Sequence, residues 1–410
     1  MTKTGRATKD LLELESRYGA RNYKPLPVVL TRGESIWVYD VEGNRYLDCL
    51  ACYSAVNHGH RHPRIIEALK KQADELTLTS RAFFNDQLGP FLKDLTEYCD
   101  MEMALPMNTG AEAVETAVKA CRRWGYRVKG IPEDEAEIIV CEGNFHGRTT
   151  TVISFSSEDK YRKDFGPHTP GFKIVPFGDA SALAEAITDR TCAFLFEPIQ
   201  GEAGVRVPPD GYLSEVRKIC DDRNVLMVLD EIQTGFGRTG KRFCYMHESA
   251  KPDVLTLGKA LGGGVFPVSA VVASEEVLGL FEPGSHGSTF GGNPLGAVVA
   301  REALKVLVEE KLAERSATLG EYFKKRLEEI DSPHVDHVRG RGLLIGVVLN
   351  EQAGGARRFT EALMDRGILC KETHHNIIRF APPLVIEKKD LEWAAREVEE
   401  VLQSSPPQPK

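Results

Sequence analysis

The segments VLMVLDEIQTG (225–235) and VLTLGKALGGG (254–264) each carry a short apolar run that ends beside a chemically active residue. The first run, Val225–Leu229, stops at Asp230 and Glu231. An unbroken apolar run of this length, bounded by turn residues, predicts a strand buried on both faces. A carboxylate at the end of such a strand is costly unless a cation faces it. The second run leads through Gly258 to Lys259 and then to glycines. A lysine there is either an ordinary loop lysine or a desolvated amine. Desolvation would lower its pKa and make it a Schiff-base nucleophile.

The same strand signal recurs on either side. EIIVC (137–141), TTVISF (150–155) and AFLFEP (193–198) read as strands, and 64–76, 111–126 and 212–223 read as helices. Strands and helices alternating at this spacing predict βαβ units, an α/β class and a mostly parallel sheet. Upstream, VVL, SIWVYD and RYLDC (28–49) read as antiparallel strands with turns at Arg32-Gly33 and Glu42-Gly43-Asn44. From 294 a long helical stretch leads to GLLIGVVLN (342–350), a helix near 356–366, NIIRFAP (376–382) and a helix near 388–403, a smaller α+β unit. The tail SSPPQPK (404–410) is too polar to pack.

With 410 residues, 42% of them hydrophobic, the chain is long enough for two or three domains around large cores. The formal net charge of −8 gives little pull on phosphate backbones or anionic lipid, so no nucleic-acid or membrane partner is expected. No apolar run reaches the roughly 18 residues that span a bilayer. The N-terminus has no signal-peptide core; Lys3, Arg6 and Lys9 precede the first acid, Asp10, in too short a stretch for a transit peptide. Nine cysteines, an odd count, suit a reducing compartment, and the expected location is cytoplasmic, with a mitochondrial matrix left open. Cys49 and Cys52 form a C-x-x-C without a second pair at zinc spacing, and the histidines of HGHRHP (58–63) lack further ligands, so no metal is expected.

Other constellations bear on chemistry. MNTGAE (107–112) runs straight into a helix, so its small residues either cap that helix or cradle an anion at its N-terminus. GFGRTG (235–240) matches a dinucleotide fingerprint in letters only, because no strand feeds it directly and no periodic helix follows. Arg148 and the strand residue Arg379 are placed for bidentate carboxylate binding or for a permanent ion pair, with Glu202 a possible partner of Arg379.

Taken in order, GHRHP (59–63), MNTGAEAVETAVK (107–119), GNFHGRT (143–149), EPIQGEAG (197–204), LDEIQTGFGRTG (229–240), LGKALGGG (257–264), HGSTFGGNP (286–294) and IRFAPP (378–383) resemble the class-III, fold-type-I aminotransferases that use pyridoxal 5'-phosphate. The resemblance spans about 20 to 400. It implies a large domain on a mostly parallel seven-stranded sheet (61–293), a small α+β domain (294–410) and an N-terminal segment (1–60) packing with the latter.

Within the class, NYKPLPVVL (22–30), CYSAVNHGH (52–60), LTLTSRAFFN (76–85), FGPHTPGF (165–172) and IRFAPPLVI (378–386) are similar to the members that act on ornithine. His146 departs from the bulky aromatic frequent in that branch. The resemblance implies that Lys259 bonds the cofactor and later moves the proton, and that Asp230 pairs with its ring nitrogen. Gln233 would hold the ring hydroxyl, Phe145 would stack on the ring, and Gly110 and Ala111 would give amides to the phosphate. Thr289 would reach the phosphate of a second subunit, which implies a homodimer. Tyr23 and Arg148 would hold the ornithine α-carboxylate, with Tyr53 in the pocket wall, while Glu202 covers Arg379 until 2-oxoglutarate arrives. The implied reaction moves the δ-amine of L-ornithine to 2-oxoglutarate by a ping-pong route. Acetylornithine or 4-aminobutyrate is the alternative amine donor.

Overall fold

The computed structural model describes residues 5–404, 406 and 407, so Lys3 and positions 405 and 408–410 of the polar tail lie outside the described residues. Seven strands form the central sheet, in spatial order Met103–Met107, Ser269–Ala273, Val254–Leu257, Leu226–Asp230, Thr191–Phe196, Glu137–Cys141 and Phe172–Val175. Only Ser269–Ala273 runs against its neighbours; the other pairings are parallel. Side chains alternate across a strand, so each apolar run feeds two cores. Ile139, Phe194, Phe196, Met227, Leu229 and Leu255 enter one of them. Ile138, Val140, Leu195, Leu226, Val228 and Val254 enter the other, against the helix Gly110–Trp124. Burial on both faces explains why these strands read as continuous apolar runs.

Two smaller sheets flank this one. Leu30–Glu34, Trp37–Asp40 and Arg45–Asp48 are antiparallel, and Ile368–Leu369 adds to Arg45–Asp48 in parallel. The first strands of the chain are thereby joined to its last third. Val335–Arg341, Leu344–Leu349, Ile377–Phe380 and Lys371–Thr373 make the second sheet, all antiparallel. Arg379 sits in Ile377–Phe380 opposite Gly346.

Several expectations need correction. TTVISF is not a strand: Thr150–Ser154 is a short helix, capped by the Thr149 hydroxyl, which accepts from Val152 N. The sheet position beside Glu137–Cys141 is taken instead by Phe172–Val175, so β-branched composition was overridden by a cap and by an occupied edge. Arg32 and Gly33 lie within a strand, and the reversal falls at Ser35, at φ 54°. The helical stretch after 294 is two helices, Pro294–Glu309 and Leu312–Glu328, parted by Lys311 in a left-handed conformation. GFGRTG is a turn whose glycines serve packing. A Cβ on Gly240, at φ 92°, would stand 3.0 Å from Ala317 Cα in the helix Leu312–Glu328. No helix among the described residues is long and apolar enough to cross a membrane.

Candidate active site

Six strands that run the same way end on one edge of the central sheet, and the residues that follow them converge there. In an open α/β sheet this carboxyl edge is where ligands bind. The residues lining a cavity of about 140 Å³ include Gly110, Phe145, Glu197, Asp230, Gln233 and Lys259. A single water needs roughly 10–15 Å³ measured this way, so the cavity holds a ligand of many atoms.

Asp230 ends its strand with both oxygens engaged. Oδ1 accepts from Ile232 N at 3.1 Å, and Oδ2 lies 2.6 Å from His146 Nδ1. Burial opposes a charge on His146, but the hydrogen bond and charge of Asp230, with Glu197 nearby, outweigh it and raise the histidine pKa. His146 Nε2 is buried without a hydrogen-bond partner among the described residues. Glu197 accepts from Phe145 N at 3.0 Å. Burial, reinforced by Asp230, pushes its pKa up to about 7.

Lys259 follows its strand with φ 45°, a left-handed value for a residue with a side chain. Burial lowers the pKa of its amine, with Glu202 and Asp230 pulling the other way. A lysine held this way has a larger neutral, nucleophilic fraction than a surface lysine.

Arg379 is 1% exposed and lies beside the cavity. Its Nη1 donates to Glu202 Oε1 at 2.7 Å and to Gly201 O at 3.3 Å. Burial alone would raise the Glu202 pKa, but Arg379, Lys259 and the hydrogen bonds outweigh it and hold it below the usual value. Gln233 Nε2 donates to the same Glu202 oxygen at 3.2 Å. The Tyr53 ring lies 4.9 Å from the Arg379 guanidinium carbon, within cation–π range. Tyr53 belongs to four consecutive residues at positive φ: Ala51 at 46°, Cys52 at 46°, Tyr53 at 57° and Ser54 at 73°. Each such residue costs roughly 1–2 kcal/mol in a left-handed turn, so the surroundings must enforce this one.

The anion end is built from small residues. Thr109 and Glu112 form a reciprocal capping box at the start of Gly110–Trp124, which leaves the first amides of that helix pointing outward. A Cβ on Gly110 would meet Ile232 Cδ1 at 3.1 Å, and one on Gly147, at φ 126°, would meet Ala111 Cβ at 2.9 Å. Side chains there would close the cradle.

Besides Tyr53, Glu202 and Arg379, three further predicted residues stand outside the cavity lining. Arg148 is exposed, with its guanidinium carbon 3.8 Å from the Tyr161 ring centroid and 5.1 Å from that of Phe145. Tyr23 is 76% exposed. Thr289 is exposed beside the exposed Phe290. Conversely, sequence reasoning gave no role to Glu197, Tyr161 or the left-handed turn. The EP dipeptide at the end of a buried strand was the one available signal for Glu197.

A family model described as aminotransferase class-III matches residues 18–402. The chain belongs to the class-III aminotransferases. An ornithine aminotransferase of Brevibacillus brevis is 60% identical over 96% of this chain and 98% of the relative. Among solved structures, the ornithine aminotransferase of Toxoplasma gondii, described with partial occupancy of PLP at its active site, superposes with a TM-score of 0.95. It is 43% identical, over 98% of this chain and 95% of that one. The acetylornithine aminotransferase of Elizabethkingia anophelis superposes at 0.88 with 46% identity, over 98% and 99%. The cofactor of this class-III aminotransferase is pyridoxal 5'-phosphate. The donor set fits it: outward amides and small residues for a phosphate, Asp230 fixed by His146 for a ring nitrogen, and Lys259 for the aldehyde.

Proposed function

We propose that this class-III aminotransferase moves the δ-amino group of L-ornithine to 2-oxoglutarate, giving glutamate-5-semialdehyde and glutamate in two half-reactions. The observation that carries this reading is the closed Glu202–Arg379 pair beside Lys259. Ornithine presents amines at both ends, and only the distal one is to react. A free arginine beside the reacting carbon would draw in the α-carboxylate. Glu202 neutralises that arginine, so the α-carboxylate is left to Arg148 and Tyr23 at the outer end. With 2-oxoglutarate the pair opens, Arg379 grips the α-carboxylate and Arg148 takes the distal one.

When bound, pyridoxal phosphate supplies an aldehyde carbon that exchanges with amines and a ring that withdraws electrons from the bond being broken. Lys259 would hold the cofactor through its Nζ and would carry the proton between substrate carbon and cofactor. Asp230, steadied by His146, would keep the ring nitrogen protonated. Gln233 would hold the ring hydroxyl, Phe145 would cover the ring, and the amides of Gly110 and Ala111 would bind the phosphate. Tyr53 walls the substrate side.

A second copy completes the site through Thr289. The exposure of Phe83, Phe84 and Phe290, with Asn85 Nδ2 donating to Gly292 O beside them, supports a covered face there. Nine free thiols, eight of them buried, suit the cytoplasm. The boundaries 1–60, 61–293 and 294–410 belong to the same proposal.

The test is a donor panel with 2-oxoglutarate. Free ornithine is expected to exceed N-acetylornithine and 4-aminobutyrate by at least about 100-fold in kcat/KM, about 2.7 kcal/mol. A better rate with either competitor overturns the ornithine assignment and leaves the transaminase.

A further inference from the structure

The turn Ala51–Ser54 is the most strained backbone near the site: four successive side-chain-bearing residues at positive φ, with no glycine among them. Such a segment persists only where its surroundings over-determine it. The clamp is visible. Asp48, the last residue of Arg45–Asp48, accepts from Leu50 N at 2.9 Å and from Ala51 N at 2.8 Å through Oδ1. Its other oxygen, Oδ2, lies 2.8 Å from His60 Nε2. His60 is itself anchored, because its backbone pairs with Ser35 across an isolated bridge, N to O in both directions.

The turn also has an output. Tyr53 within it faces the Arg379 guanidinium. The two segments are joined a second time, since Ala381 N donates to Cys49 O at 2.6 Å. Arg379 Nε is buried and finds no acceptor among the described residues, so part of what holds this guanidinium is the aromatic face beneath it. Without Asp48 the turn keeps only its own backbone bonds, such as Tyr53 N to Leu50 O, and Ala51–Ser54 is expected to relax toward negative φ. Tyr53 then leaves Arg379.

We infer that Asp48 and His60 are positioning residues for 2-oxoglutarate recognition: they hold the left-handed turn that seats Tyr53 against Arg379. The inference rests on the reading that Arg379 receives the 2-oxoglutarate carboxylate and is covered by Glu202 during the ornithine half-reaction. A displaced Tyr53 therefore penalises one substrate more than the other.

Asp48→Ala, assayed in the full-length holoenzyme, is expected to raise the KM for 2-oxoglutarate about 10-fold. The KM for ornithine should change less than 3-fold. Glutarate is expected to raise the melting temperature of the wild type, and in Asp48→Ala that rise should shrink in parallel. His60→Gln should give a weaker form of the same split.

The decisive arm is rescue. Cys52 is exposed and sits at φ 46°, so Cys52→Gly makes the turn cheap at little packing cost. Alone it should behave as wild type. Combined with Asp48→Ala it should restore most of the 2-oxoglutarate KM and the glutarate shift. Equal losses for both substrates, or a double variant that regains melting temperature but not the KM, overturn the inference. If Asp48→Ala does not fold, Asp48→Asn serves: it keeps an acceptor for Leu50 and Ala51 and perturbs only His60, so it should match His60→Gln, and a wild-type KM in both overturns the inference. Arg379→Lys is the control. If it leaves the 2-oxoglutarate KM unchanged, the reading of Arg379 has failed; if it raises the KM while Asp48→Ala does not, only the clamp has failed.

Discussion

Arg238 and Arg379 are both essentially unexposed, and they are held in opposite ways. Arg379 meets a carboxylate, Glu202, at 2.7 Å. Arg238 meets only neutral groups: Leu343 O at 2.8 Å, Pro382 O at 2.7 Å and Asn57 Oδ1 at 2.5 Å. Burial without an adjacent counter-charge accordingly lowers the Arg238 pKa, with the more distant Asp48 opposing. A shell of carbonyls from three distant stretches of chain cannot be exchanged without opening the fold. A single carboxylate can be replaced by another carboxylate. The first arrangement is a rivet and the second a socket. The carboxylates repeat the contrast: Glu202, beside a cation, is held below its ordinary pKa, whereas buried Glu231, bonded to Thr234 and Tyr245 N, is pushed up to about 7.

Four measurements test this contrast. Arg238→Ala should cost the most, roughly 3–5 kcal/mol of stability, because several buried acceptors lose their donor at once. A melting temperature within about 2 °C of wild type would show that Arg238 is no rivet. Arg379→Ala should lower kcat/KM for 2-oxoglutarate by about 100-fold, near 2.7 kcal/mol, with a smaller loss of stability than Arg238→Ala. The reverse ranking would invert the two roles.

Glu231→Gln tests the carboxylate pair. The folded pKa of Glu231 is raised, so its contribution is complete below about 4.5 and is lost as pH climbs through about 7. The glutamine variant should therefore come close to wild type below pH 5 and exceed it by up to about 3 kcal/mol at pH 8, read by denaturant titration. For Glu202 the sign is opposite: its lowered pKa keeps the ion pair intact at neutral pH, to be lost only below the ordinary carboxylate range. The smallest effect is expected from Glu202→Ala, which should let glutamate react from the resting form about 10-fold better, about 1.4 kcal/mol. No gain for glutamate would mean that Glu202 does not mask Arg379.

What was legible in the chain follows from how local each signal is. Asp230 and Lys259 stand at the ends of apolar runs, and the cost of a buried charge marks them without a structure. The same logic picked out Arg379 and offered Glu202 as its partner. The contact between His146 and Asp230 crosses 84 positions, and nothing in either neighbourhood announces it. The left-handed turn was hidden because Ala51, Cys52, Tyr53 and Ser54 are not residue types that favour positive φ; the acceptor at Asp48 and the turn's own backbone bonds make the conformation intelligible. TTVISF misled for a related reason, since the single hydroxyl of Thr149 settles the helix against the β-branched composition that follows.

The cysteines give the fold an internal clock. Cys52 alone is exposed, while the other eight are buried, from Cys49 and Cys370 where the two ends of the chain meet to Cys141, Cys192 and Cys220 around the central sheet. Burial pushes the Cys49 and Cys121 thiols well above their ordinary pKa, and the same cause raises Cys192 and Cys220 to about 12. A brief pulse of a thiol-alkylating reagent would thus count one reactive site in the intact molecule. Each further site, located by mass, would date the moment at which a particular layer of the architecture came apart.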